Sequence, residues 1–154
     1  MTRINSAIPV GNLTDEHLLA EHREIKRLPK AVEVYRGGII PEEFTLGTGH
    51  MKFFYDKQKF IADRYKYIHE ECVRRGFSVT DFSENWSVVP QRLMGDHIPT
   101  ESEREILIER ITERIKSGRL KTYHYYRRDI SKEEAITILK NGDNTYNRTV
   151  HIRT

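Results

Sequence analysis

Residues 14–28 read Thr-Asp-Glu-His-Leu-Leu-Ala-Glu-His-Arg-Glu-Ile-Lys-Arg-Leu, and this stretch predicts the first helix of the chain. Thr14 has the side chain of a helix N-cap, and the carboxylates of Asp15 and Glu16 suit the positive end of the helix dipole. Apolar residues recur at spacings of three and four, so we expect one helix face in the core and a polar face beside it. Pro29 ends the pattern because the residue before a proline is pushed out of the helical conformation.

The sequence on either side of this helix predicts an arm and two further helices. Pro9 and Gly11 indicate an extended arm before it. Residues 51–75 predict a second helix, because apolar side chains repeat at helical spacing at Phe54, Ile61, Tyr65, Ile68 and Cys72. A third helix starts at a capping box over residues 100–103 and ends at Gly118.

The end of the chain predicts one more short helix. Ser131 and Glu134 have the spacing of a capping box, and a polar tail follows. We therefore expect an all-α fold: a compact bundle of three main helices with long loops, an extended N-terminal arm and no sheet. The predicted units are a helical domain over residues 1–128 and a C-terminal extension over residues 129–154.

The composition excludes several classes of protein. Of the 154 residues, 37% are hydrophobic and 32% are charged, which is typical of a polar but folded domain. No apolar run approaches the roughly 18 residues that a membrane span needs, and the chain start lacks the apolar segment of a secretion signal. Cys72 is the only cysteine, which excludes an internal disulfide and a zinc site built on thiolates. We expect a soluble monomer that does not contact membranes.

Two clusters of positive charge could bind phosphate, although the net charge is only +3. The first comprises Arg23, Lys26, Arg27, Lys30 and Arg36. The second comprises Arg119, Lys121, Arg127 and Arg128, interleaved with Tyr123, Tyr125 and Tyr126. Tyrosines beside cations can stack on nucleotides. The alternative is that the same rings pack this segment against the helices.

The chain start offers a nucleophile. Thr2 is small enough for the cell to remove Met1, which exposes an α-amine with a pKa of about 7.7 to 8.0, against about 10.4 for lysine. A useful fraction of such an amine is neutral at physiological pH. It needs a partner that moves protons, and the carboxylate of Glu24 on the first helix could fill that role. The plainer interpretation places Glu24 on a solvated helix face, paired with cations one turn away.

Metal binding has weaker support. His17, Glu21 and Glu24 share one helix face, and residues 69–72 place four potential ligands in a row. However, a helical ligand pair normally has a distant third ligand, and consecutive residues point in different directions around a helix. We expect neither a metal nor another cofactor.

Four ordered stretches resemble the pyrimidine-dimer glycosylases and abasic-site lyases of the T-even phages, the endonuclease V family, and their viral and bacterial relatives. The first is residues 1–5, and the second comprises His17, Leu18, Ala20, Glu21, Arg23 and Glu24. The third is residues 47–50, Gly-Thr-Gly-His, running into Phe-Phe-Tyr-Asp-Lys at 53–57, and the fourth is residues 75–77. Weaker similarity extends to residues 95–99 and 123–126. No rule about helices demands this order, so the resemblance is specific.

The resemblance implies a repair enzyme that acts on double-stranded DNA carrying a lesion. In the family, the amine of the residue that matches Thr2 attacks the anomeric carbon of the damaged nucleotide, expels the base and forms an imine. The strand is then cut by β-elimination. Glu24 matches the family's essential carboxylate, which stabilises positive charge and moves protons. Neither a metal nor a nucleotide cofactor is needed.

The resemblance also implies where the DNA binds. Arg3, Arg23 and Arg27 match DNA-contacting arginines, and His17 and Glu21 match positions near the same pocket. We expect further DNA contacts from Lys26, Lys121, Tyr123, Tyr125 and Tyr126. The family bends its duplex and extrudes a base, at the cost of unstacking it. Such a protein would work in the cytoplasm of a bacterial or phage-infected cell.

The sequence departs from the family at His22, where relatives often carry an aromatic residue, and at Thr122, where the phage enzyme has a tryptophan. Specificity for cyclobutane pyrimidine dimers is therefore an expectation, and the same mechanism could serve another damaged base. Two other functions stay open: a DNA-bending protein without catalysis, and a metal-dependent nuclease built on His17, Glu21 and Glu24. The presence of both Thr2 and Glu24 argues against the bending protein.

Overall fold

The computed structural model describes residues 4–142 of the chain. In that range the elements are α1 (Asp15–Ile25), α2 (Leu28–Glu33), α3 (His50–Phe53), α4 (Gln58–Arg74), α5 (Glu101–Ser117), β1 (Thr122–Tyr125), β2 (Arg128–Ser131) and α6 (Lys132–Asn141). Short 3-10 turns lie at Val10–Asn12, Gly47–Gly49, Ser83–Val88 and Gln91–Leu93. The two strands pair antiparallel, with Tyr123 opposite Ile130 and Tyr125 opposite Arg128.

The prediction of an all-α bundle of three main helices is wrong, because the described chain has six helices and a β-hairpin. The hairpin turn has positive φ angles at Tyr126 (52°) and Arg127 (66°), which glycine or asparagine usually occupies. The carboxylate of Asp15 stabilises this turn by accepting hydrogen bonds from both backbone amides, at 3.1 and 2.8 Å. A distant contact thus replaces the local turn signal that the sequence lacks.

The first predicted helix has the expected start and a different end. Thr14 is the N-cap, and its hydroxyl accepts a hydrogen bond from the amide of His17 at 3.1 Å. However, α1 ends at Ile25, and Pro29 lies in the first turn of α2. A proline is tolerated there because the amide it lacks would have no helical partner.

The predicted helix over residues 51–75 is two helices, with a break between Phe53 and Gln58. The carbonyl of Gly95 accepts hydrogen bonds from the amides of Lys59 and Phe60, at 3.0 and 3.3 Å, and so caps the start of α4. A Cβ at Gly95 would lie 2.3 Å from a backbone oxygen, so only glycine fits. The break depends on a contact 36 residues along the chain, which periodicity cannot reveal.

Both predicted capping boxes are confirmed. Thr100 and Glu103 cap α5, and Ser131 and Glu134 cap α6. In each pair, the hydroxyl of the first residue accepts a hydrogen bond from the amide of the glutamate, and the glutamate side chain accepts one from the amide of the first residue. These motifs could be predicted because every atom involved lies within four residues of chain.

The N-terminal arm lies inside the protein. Ile4, Ile8 and Leu13 are fully buried, and the arm's carbonyl groups are bound by two arginines of the α4 region. Arg64 donates to the carbonyl of Ile8 at 2.6 Å. Arg75 donates to the carbonyls of Leu13 and Val10 at 2.8 and 3.3 Å. The arm is therefore held by hydrogen bonds as well as by apolar contact, which fixes its path between the helices.

The two arginines are buried and paired with acids. Arg64 forms two hydrogen bonds with Glu21, at 2.9 and 3.0 Å. Arg75 binds Glu71 and Asp15, each at 2.9 Å. Buried charges are tolerated in a protein interior only with such partners. These ion pairs join α1, α4 and the arm into one core.

The described part of the predicted C-terminal extension packs on the same core. Ala135, Ile138 and Leu139 of α6 are buried, and Asn12 of the arm donates to the carbonyl of Leu139 at 3.3 Å. The division at residue 128 stays a prediction, and the predicted tail lies largely outside the described residues. Among residues 4–142, no helix combines the length and apolar character of a membrane span.

Candidate active site

An open cleft of about 580 Å³ lies beside α1. Its lining residues come from the polar face of α1 and from the segment that leads into α3: Glu24, Gly47, Thr48, His50, Met51, Lys52 and Tyr55. The cleft therefore combines a carboxylate, an imidazole, a cation and a phenol. This set of groups can bind an anionic ligand and move protons.

Glu24 is the carboxylate of the cleft. Its side chain is 25% exposed, and its nearest ion-pair contact is a loose one, 3.6 Å from Arg27. Arg27 is itself 68% exposed, so water screens this pair strongly. The carboxylate of Glu24 is therefore accessible to a ligand, and its ion pair with Arg27 is weak.

The opposite wall of the cleft requires two glycines. Gly47 has a positive φ of 77°, a backbone conformation that side chains disfavour. A Cβ on Gly49 would lie 2.8 Å from the methyl group of Thr45 and 3.2 Å from the ring of Pro41. This explains in physical terms why glycines stand at positions 47 and 49, just before His50.

His50 connects this wall to the N-terminal arm. Its ring is 3% exposed, with Nε2 lying 3.2 Å from the amide nitrogen of Ile4 and 3.0 Å from the Ile4 carbonyl oxygen. Its Nδ1 lies 3.1 Å from the carbonyl oxygen of Thr45. The earliest described residue of the chain is thus held against a side chain that lines the cleft of Glu24.

The predicted basic residues of α1 lie around Glu24. Arg23 and Arg27 are exposed on the protein surface. Lys26, which follows α1, places its ammonium group 4.2 Å above the ring of Phe82. Lys52 adds a further exposed cation on the opposite wall. Exposed cations thus occur in the lining of the cleft, at Lys52, and in contact with Glu24, at Arg27.

The structure separates His17 and Glu21 from Glu24. The side chain of Glu21 is fully buried and bound to Arg64, and it also accepts a hydrogen bond from Asn5 at 3.0 Å. The ring of His17 stacks on Tyr123 at 5.8 Å, and its Nδ1 contacts the hydroxyl of Thr14 at 2.7 Å. Burial lowers the pKa of His17, although Glu16 and Glu21 act in the opposite direction. His17, Glu21 and Glu24, which a metal-dependent nuclease would use as ligands, therefore contact different groups and do not form one site.

The predicted aromatic cluster packs mainly inward. Tyr125 is fully buried, and its hydroxyl donates to the carbonyl of Gly11 at 2.7 Å. Tyr123 is also buried, and the hydroxyl of Tyr126 donates to Glu71 at 2.8 Å. Lys121 is exposed. DNA binding by these residues stays a prediction, and the fully buried ring of Tyr125 gives it no support in this conformation.

Thr2 and Arg3 lie outside the described residues, so their predicted roles stay predictions. His22, where the sequence departs from the family, is buried and contacts the hydroxyl of Tyr65 at 3.0 Å. Burial lowers the pKa of His22, and the nearby charge of His69 lowers it further. His22 is therefore part of the interior packing of α1 against α4.

Sequence reasoning gave no role to several residues that line the cleft, namely Thr48, His50, Met51, Lys52 and Tyr55. The signal was present, because the Gly-Thr-Gly-His motif belongs to the resemblance. The motif could not be assigned to the site of Glu24 since the two are separated by more than 20 residues of chain.

The fold and the cleft define a small, mostly helical protein with an accessible acid and a basic rim, as expected of an enzyme that acts on a polyanion. A family model described as pyrimidine dimer DNA glycosylase matches residues 1–85, just over half of the chain. The chain therefore belongs to the pyrimidine dimer DNA glycosylase family.

Family membership confirms two predictions from the sequence. The resemblance to the endonuclease V family is confirmed, and so is the enzyme class, DNA glycosylase and abasic-site lyase. The protein acts on DNA within the cell. The matched region contains the arm, α1 and, among residues 4–142, every residue that lines the cleft.

Proposed function

We propose that this protein excises a base at cyclobutane pyrimidine dimers in double-stranded DNA and then cuts the strand. The nucleophile is the α-amine of Thr2, exposed by removal of Met1, and Glu24 is the acid and base. The enzyme works as a cytoplasmic monomer with no metal and no cofactor.

One observation carries the proposal: Glu24 opens into the cleft whose wall holds Ile4. Successive Cα atoms are about 3.8 Å apart, so a residue two positions from Ile4 has its Cα within about 7.6 Å. Thr2 is two positions from Ile4. The chain from Ile4 to the proposed amine is therefore short, and Glu24 offers a carboxylate as its partner in the cleft that His50 also lines.

The chemistry balances with these two groups. The neutral amine attacks C1′ of the damaged nucleotide, the glycosidic bond breaks and its electron pair leaves with the base. A proton then passes from nitrogen to the ring oxygen O4′ as the C1′–O4′ bond breaks. The product is a protonated imine, whose positive charge the Glu24 carboxylate stabilises. Glu24 then removes a proton from C2′, the C3′–O bond breaks, and the phosphate leaves with its electron pair. Water hydrolyses the imine and releases the enzyme.

The exposed cations around the cleft would hold the DNA. Arg27 contacts Glu24, Arg23 is the exposed residue before Glu24 on α1, and Lys52 lines the cleft. Arginine and lysine on such a rim neutralise phosphates and set the register of the duplex. We assign Arg3, Lys26 and Lys121 to the same task.

Borohydride trapping in excess chelator tests the proposal. Borohydride adds hydride to the carbon–nitrogen double bond of an imine and makes the adduct permanent. We expect a covalent adduct on both dimer-containing and abasic duplexes, with peptide mass spectrometry placing the DNA on the N-terminal residue. Adduct formation at a lysine, or no adduct on either duplex, would refute the mechanism.

A matched variant controls for the chain start. Thr2→Gln has a side chain large enough to favour retention of Met1, so the threonine amine is not formed. We expect this variant to bind DNA and to lose the adduct. A panel of oxidised, alkylated and dimer-containing duplexes then identifies the lesion, and faster trapping on a lesion other than the dimer would reassign the substrate.

A further inference from the structure

We propose that His50 is a positioning residue, which fixes the N-terminal arm so that the chain start faces Glu24. The inference rests on the proposed function, since it assumes that the chain start carries the nucleophile. The proposed nucleophile is a backbone amine, so its position depends on how the backbone of the arm is held.

The contacts of His50 reach two separate segments of the protein. Nε2 faces the amide nitrogen and the carbonyl oxygen of Ile4, at 3.2 and 3.0 Å. Nδ1 faces the carbonyl oxygen of Thr45 at 3.1 Å. The ring also meets Phe44 and Phe54 edge to face, with centroids 5.6 Å apart in both cases. The ring is therefore fixed both by polar contacts at its two nitrogens and by aromatic packing around them.

The neutral tautomer that is protonated on Nδ1 satisfies two of the three polar contacts that His50 makes with described residues. With the proton on Nδ1, that nitrogen donates to the Thr45 carbonyl, and Nε2 accepts from the amide of Ile4. In the other neutral tautomer, Nε2 donates to the carbonyl of Ile4, so Nε2 contacts the backbone of Ile4 in either neutral form. A doubly protonated ring would instead donate to the carbonyls of Thr45 and Ile4.

Other contacts hold the arm further along the chain. Asn5 donates to Glu21 of α1 at 3.0 Å, and Arg64 of α4 donates to the carbonyl of Ile8 at 2.6 Å. His50 holds Ile4, the described residue nearest the chain start, and it does so from the wall opposite Glu24. The arm is thus held on both sides, by α1 through Asn5 and by α3 through Ile4.

Precise placement matters for this reaction. Well-oriented groups gain effective concentrations of about 10⁵ to 10⁸ M, and a displacement of about 1 Å can cost about a hundredfold in rate. The placement of an amine at a chain end depends on the restrained residue nearest to it in sequence. Restraint at Ile4 acts two residues from the proposed nucleophile.

Two amide variants separate positioning from packing. The side-chain amide of His50→Gln reaches the place of Nε2 and can contact Ile4, whereas that of His50→Asn reaches the place of Nδ1 and can contact only Thr45. Both variants lose the same aromatic contacts with Phe44 and Phe54. We expect His50→Asn to lower the single-turnover trapping rate on abasic DNA by about 10- to 100-fold, with DNA affinity and melting temperature close to those of His50→Gln. His50→Gln should recover most of the wild-type rate.

The outcomes distinguish the two proposals. If wild type forms no adduct, the proposed function fails. If wild type forms the adduct and the two variants trap it at the same rate, the positioning role of His50 fails alone. A measurement on wild type covers the case in which both variants unfold: the backbone amide of Ile4 should exchange its hydrogen with solvent far more slowly than the amide of an unrestrained chain. Exchange at the rate of an unrestrained chain would overturn the inference.

Discussion

Glu21 and Glu24 lie one turn apart on α1 and have opposite surroundings. The side chain of Glu21 is fully buried, bonded twice to Arg64 and once to Asn5. Glu24 is partly exposed, opens into the cleft and has a loose contact with Arg27. The two residues teach that residue type and helical spacing do not separate a structural acid from a reactive one. The partners of each carboxylate make that distinction.

The difference follows from electrostatics. A buried carboxylate is tolerated only when hydrogen bonds and an opposite charge replace its water, which leaves it no capacity to serve a substrate. A carboxylate at the edge of an open cleft keeps its lone pairs available. We therefore expect substitution of Glu21 to affect stability and substitution of Glu24 to affect rate.

The largest expected effect is the loss of strand-cleavage rate in the Glu24→Gln variant. This change removes the negative charge and the proton acceptor and keeps the shape of the side chain. We expect the single-turnover rate of strand cleavage to fall by about 10² to 10⁴, the usual contribution of an acid or base. DNA affinity should stay close to that of wild type, as measured by fluorescence anisotropy.

Glu33→Gln is the matched control for this experiment. Glu33 is an exposed glutamate at the end of α2 and does not line the cleft of Glu24. The Glu33→Gln variant should cleave DNA at the wild-type rate. Weaker DNA binding by Glu24→Gln with normal turnover would contradict the role that we assign to Glu24.

The second effect is on the stability of Glu21→Gln. Breaking a buried ion pair leaves the guanidinium of Arg64 without its opposite charge, which costs about 3 to 5 kcal/mol. For a chain of this size, each kcal/mol shifts the melting temperature by about 2 to 4 °C. We therefore expect a fall of about 6 to 20 °C by circular dichroism, with the cleavage rate below the transition changed by less than about tenfold.

Replacing both partners sharpens this test. Glu21→Leu combined with Arg64→Met fills a similar volume without charge, and such replacements of buried ion pairs are often neutral. The double variant should be more stable than Glu21→Gln alone. If it were less stable, the hydrogen bond from Arg64 to Ile8 would be the main contribution of this cluster, and the ion pair a minor one.

The sequence predicted the part of the site around Glu24 better than the surroundings of Glu21. The resemblance pointed to Glu24, Arg23 and Arg27, of which Glu24 lines the cleft, Arg27 contacts Glu24 and Arg23 is exposed on α1; their roles stay predictions. It also pointed to Glu21 and His17, which share their helix face with Glu24 and yet contact Arg64 and Tyr123 instead. Those partners come from distant parts of the chain, so periodicity on α1 could not reveal them.

The fold was predictable where its determinants are local. The N-cap at Thr14 and the two capping boxes involve atoms within a few residues, and all three are present. The hairpin was missed because its turn depends on Asp15, more than 100 residues before it. The break before α4 was missed because it depends on the carbonyl of Gly95.

The smallest effect concerns the cation beside Glu24. Arg27 is 68% exposed and its contact with Glu24 is 3.6 Å long, so Arg27→Ala should change stability by no more than about 0.5 kcal/mol. If Arg27 binds a phosphate, its loss should weaken DNA binding and reduce the slope of log K against log salt by about one.

Arg114→Ala is the control for Arg27→Ala, since Arg114 is an exposed arginine of α5 that does not line the cleft. It should keep the wild-type salt slope. The measurement is a titration of duplex DNA at four salt concentrations for each protein. An equal slope in wild type and Arg27→Ala would show that Arg27 acts only as the neighbour of Glu24 and does not bind a phosphate.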